Sequence, residues 1–171
     1  MSRILNKLLK NAVFAMTFYS IFCGACGQVI AGDRPLIFPL PQEIEVSDTY
    51  FNLNEETLIL LPENAAENDL YLARFLVREL SDRFGLALRI EKTAALPSDK
   101  KYILMGRFDN PLVRKYFAGQ NLVVTAENPG SEGYVLRVEP DAAVIAGSDA
   151  QGAFYGLQSL RQIINRGEGH Y

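Results

Sequence analysis

Between Glu67 and Gly85 the apolar residues Leu72, Phe75, Leu76, Leu80 and Phe84 recur at intervals of three and four. That period puts all five on one stripe of an α-helix, while Glu67, Asp69, Arg74, Arg78 and Asp82 fall mostly on the other side. Gly85 can take the left-handed conformation that closes such a helix. Asn64 and Glu67 have capping-box spacing, so the helix is expected to start there. Its charged residues read as a solvated face with no catalytic role. A stripe of this kind needs a second layer against which to bury itself, and the rest of the chain must supply it.

Strand signals supply that layer. Thr57–Pro62 (TLILLP) reads as a buried strand closed by a proline, and Leu86–Thr93 alternates Leu86, Leu88 and Ile90 against more polar neighbours. Pro97 to Asp99 is turn-prone, and Tyr102 to Met105 follows as another buried strand. Tyr134, Leu136 and Val138 share one face, Pro140 and Asp141 mark a turn, and Ala143 to Ala146 returns, which predicts a hairpin. EIEV (43–46) and TYFNL (49–53) are further short candidate strands behind a proline-rich opening, residues 32–43. Residues 106–131 read as loop with one helical turn around Leu112 to Phe117. The expected fold class is α+β: a two-layer sandwich with a mixed or antiparallel sheet of four to six strands and two helices on one face.

The second helix comes from GSDAQGAFYGLQSLRQII, residues 147–164. Gly147 and Gly152 have the spacing of a phosphate-binding loop, but Ala153 and Phe154 stand where a lysine and a hydroxyl would hold phosphate and magnesium. Asp149 would also repel an anion from the positive end of the helix, and suits a helix N-cap instead. Ala153, Leu157, Leu160 and Ile164 form a stripe consistent with a sheet beneath. Gly152 and Gly156 lie four apart on a neighbouring stripe. Each mid-helix glycine costs about 1 kcal/mol relative to alanine, so a second body is expected to approach closely there. Gly152, Gly156, Phe154 and Leu160 are the residues expected in this packing seam.

Residues 1–31 are read separately. Arg3, Lys7 and Lys10 precede an uncharged apolar run, the pattern of an export signal, and cleavage after Ala31 would leave a domain of residues 32–171. Removing three positive charges from a net of −3 leaves −6, which argues against nucleic acid as a partner. Both cysteines, Cys23 and Cys26, fall in this segment. Cleavage before Cys26 would instead give a lipid-anchored product, so membrane association is expected only through the signal or such an anchor. The mature domain then has no thiol, and its single histidine, His170, is the penultimate residue. Cysteine, Ser-His and metal chemistry therefore lack their groups, and no metal or cofactor is expected. Glu132 and Asp149 sit near strand ends, but a turn carboxylate and a helix cap account for them better than a catalytic pair.

IFPLPQEIEV, EGYVLRV, AAVIAGSD and GAFYGLQSLRQII together resemble the small N-terminal α/β domain that precedes the catalytic barrel in bacterial β-N-acetylhexosaminidases. The related O-GlcNAcase-like or hyaluronidase-like glycoside hydrolases share it, and a similar domain precedes the barrel of α-glucuronidases. The likeness extends over residues 36–166. It implies an accessory domain of an enzyme acting on terminal β-linked N-acetylhexosamine, non-catalytic by itself, because the acidic residues of the barrel have no counterpart here. It also implies that the 152–164 helix packs on the sheet and toward a following barrel, the expected partner, with a glycan as a further candidate ligand. The alternatives are a stand-alone exported carbohydrate- or protein-binding scaffold and a self-contained small hydrolase. No catalytic residue is assigned.

Overall fold

The computed structural model describes residues 37–165 apart from 39, 48, 119 and 121–127. The leader segment with Cys23 and Cys26, the start of the proline-rich opening, and His170 lie outside the described residues. The elements run β1 (Leu58–Pro62), α1 (Glu67–Phe84), β2 (Arg89–Thr93), β3 (Tyr102–Arg107), α2 (Pro111–Phe117), β4 (Tyr134–Val138), β5 (Ala142–Gly147) and α3 (Ala150–Ile163). The strands make one mixed sheet in the order β2-β1-β3-β5-β4. β1 pairs in parallel with β2 and β3, and β3 with β5, while β4 and β5 form the antiparallel hairpin that the Pro140–Asp141 turn predicts.

The three inner strands are apolar on both sides, as strands covered on both faces must be. Ile59, Leu61, Ile103, Met105, Ala143 and Ile145 face α1 and α3, meeting Leu72, Leu76, Leu80, Leu157 and Leu160 in one core. Leu58, Leu60, Leu104, Val144 and Ala146 point the other way, toward Leu112, Val113, Tyr116 and Phe117 of α2. Each fully buried Leu or Ile contributes about 1.5–3 kcal/mol relative to staying exposed. The two long helices thus share one face, as the amphipathic patterns predict. α2 is an addition: residues 111–117 form two turns rather than one, because Pro111 starts the helix and the Asn110 side chain accepts from Leu112 N at 3.0 Å.

Three local expectations are corrected. α1 starts with Ala66 as its cap, not Asn64; Asp69 Oδ2 accepts from Ala66 N at 3.2 Å, which is the reach-back half of a capping box displaced by two residues. Asn64 is occupied elsewhere, accepting from Asn110 Nδ2 at 2.9 Å and so tying the start of α1 to that of α2. EIEV and TYFNL form no strands, since among the described residues no strand pairs with them; Phe51 and Leu53 place their side chains on the core instead. At the other end of α1 the glycine stop holds: Gly85 has φ +73°, and Gly85 N and Leu86 N donate back to Ser81 O and Leu80 O.

Candidate functional site

The sequence points to α3 and its N-terminal approach, and the local geometry there is built around one carboxylate. Asp149 Oδ1 accepts from Gly152 N at 2.8 Å, while Oδ2 accepts from Glu132 N at 2.8 Å. The side chain therefore joins the first turn of α3 to the turn before β4. These two backbone donors, that of Gly152 foremost, hold the Asp149 carboxyl below its ordinary range. A carboxylate whose two oxygens already receive amide protons is a clasp rather than a free base. Glu132 contributes its backbone N–H to that clasp, in a left-handed conformation at φ +60°, and its side chain is exposed.

The two helix glycines lie where this clasp brings the chain closest. A methyl group on Gly152 would overlap the carbonyl oxygen of Gly133. On Gly156 it would stand 2.7 Å from Ile145 Cγ2 and 3.2 Å from the Tyr134 ring. Among the described residues, the body that approaches the glycine stripe is the turn 128–133 and β4 of the same domain. The Gly133 carbonyl accepts from Ser148 N at 2.9 Å and from Ser148 Oγ at 3.0 Å, and Tyr134 and Ser159 hydroxyls meet at 2.6 Å. The strand, turn and helix are in this way locked as one unit.

Leu160 and Phe154 do not join the glycines. Leu160 is buried in the core with Ala153 and Leu157. Phe154 projects away from the sheet because two residues advance a helix by about 200°, placing it almost opposite Gly152. With Tyr155 it forms a tilted aromatic pair at 5.8 Å, and both are more than a third exposed.

Other polar groups are also committed to structure. Glu79 on α1 pairs with Arg83 at 3.1 Å and with Arg161 of α3, whose guanidinium also lies 4.9 Å over the Phe75 ring. Burial pushes the Glu79 carboxyl up, but the hydrogen bonds and charges of Arg161 and Arg83 outweigh it and hold the group below its ordinary range. Glu139 accepts from Tyr116 Oη at 2.9 Å and Arg137 Nε at 2.8 Å. Burial, together with Glu139, pushes the Tyr116 phenol up to about 12. Asp69 is raised by burial at the α1 start. Among the described residues no three His, Cys, Asp or Glu side chains gather to hold a metal ion. An open cleft of about 290 Å³ between β1, β2 and the 94–101 loop is lined by Leu58, Leu60, Glu91, Thr93 and Leu96 among others, and has no aromatic ring on which a sugar could stack. None of these clusters brings together an acid and a free base across a substrate-sized gap.

Comparison with known proteins identifies the chain as an accessory domain of a glycoside hydrolase. Residues 34–170 match the family model described as glycosyl hydrolase family 20, domain 2. A beta-hexosaminidase of Porphyromonas gingivalis (strain ATCC BAA-308 / W83) is 31% identical over 128 residues, covering 75% of this chain but 14% of that protein. The solved structure of CpGH84D superposes with a TM-score of 0.64 at 27% identity, over 81% of this chain and 22% of its own. The Flavobacterium johnsoniae chitobiase FjGH20 shares the fold, with a TM-score of 0.53 at 21% identity over 78% of this chain and 18% of its own. The chain thus spans between about a seventh and about a fifth of these relatives.

Proposed function

The chain belongs to the domain 2 family of family 20 glycosyl hydrolases, and from that premise we propose that it is the non-catalytic accessory domain of an exported β-N-acetylhexosaminidase. The parent enzyme removes terminal β-linked N-acetylhexosamine from glycans. The observation that carries this reading is the family match over residues 34–170 to a domain that occupies only 14% of its hexosaminidase relative. The local chemistry supports it: the carboxylates nearest α3 are used as a cap and a turn, and the described residues include neither histidine nor cysteine. In glycoside hydrolysis an acid and a base or nucleophile must face each other across the sugar, and here a second domain has to supply them.

Export rests on Arg3, Lys7 and Lys10 ahead of the uncharged run to Cys26. N-terminal sequencing of the secreted product should begin at Gly32, or at a lipid-modified Cys26; an intact Met1 would reject processing. The activity is tested by assaying the 171-residue chain and the full-length polypeptide that carries it on a chromogenic β-N-acetylglucosaminide. Turnover by the full-length protein alone is expected. Turnover by the 171-residue chain would overturn the non-catalytic assignment, and a full-length protein inactive on every β-N-acetylhexosaminide would overturn the substrate assignment.

A further inference from the structure

We draw no further inference here: the strongest candidate, the open cleft of about 290 Å³ between β1, β2 and the 94–101 loop, carries none, because its floor residues Leu58 and Leu60 are only 2% and 1% exposed and its charged rim of Glu91, Asp99 and Lys100 lies in solvent, so nothing in it selects a ligand.

Discussion

Replacing Gly152 by alanine sets two physical effects against each other, and the structure decides the sign. In a helix interior the change should stabilise by about 1 kcal/mol, the ordinary propensity difference. Here the added methyl would overlap the Gly133 carbonyl oxygen, a backbone atom that cannot turn aside as a side chain can. Relief requires the turn 128–133 to move away from α3, and overpacking of this kind costs about 1–3 kcal/mol. The move also strains the two hydrogen bonds that Ser148 gives to Gly133 O, each worth about 1 kcal/mol net. The balance is a loss of about 2–4 kcal/mol. Gly156→Ala is the internal comparison, since its methyl would meet Ile145 Cγ2 and the Tyr134 ring. These are side-chain contacts that can give more than a backbone carbonyl can, so that variant should lose less stability than Gly152→Ala. The chain has no tryptophan, so urea unfolding is best followed by far-UV circular dichroism. A Gly152→Ala protein as stable as wild type, or more so, would refute the reasoning that a backbone contact sets this glycine.

Leu76→Ala removes a fully buried side chain between α1 and the sheet and should cost about 2–5 kcal/mol; a urea midpoint shift worth under about 1 kcal/mol would mean that the site collapses freely. Glu79 has a folded pKa below its unfolded value, so its pairing stabilises fully above the ordinary carboxylate range and is lost as pH falls through the folded pKa. Glu79→Gln should therefore be less stable than wild type at neutral pH, with the gap closing in acid; a gap that widens in acid rejects the sign. Asp149 titrates with the same sign, and Asp149→Ala should speed amide exchange at both Gly152 and Glu132, the two donors it bridges. Faster exchange at Gly152 alone would show that the clasp to the turn is not formed in solution.

The parts of the fold legible in the sequence are those fixed by near neighbours. The α1 stripe needs only the 3.6-residue period, and its stop needs only a glycine able to reach φ +73°. The β4–β5 hairpin needs two alternating runs and a turn between them. Pairing among β1, β2, β3 and β5 is parallel and joins residues distant in sequence, so periodicity left mixed and antiparallel sheets equally open. The start of α1 is ambiguous in the sequence because Asn64 and Ala66 each have an acidic residue three positions on, and the tertiary tie to Asn110 occupies the Asn64 side chain. EIEV and TYFNL have strand composition, but composition cannot reveal that among the described residues no strand lies beside them. The pairing of Phe38 with Gln162 spans 124 residues and leaves no local trace.

α3 shows why a sequence can identify a packing element without identifying the body packed against it. Two glycines spaced at four say only that something comes close on one stripe. They carry no information on whether that body belongs to the same domain, because a backbone carbonyl and a foreign surface impose the same steric demand. The aromatic pair beside them carries the complementary information. Phe154 lies almost opposite Gly152, and its ring and that of Tyr155 both stay more than a third exposed. The inward stripe thus records how this domain holds its hairpin, while the two rings take no part in that contact. Separating the two on one helix requires the rotation of each residue about the axis to be combined with what stands on each side, and the second of these enters only with the folded chain.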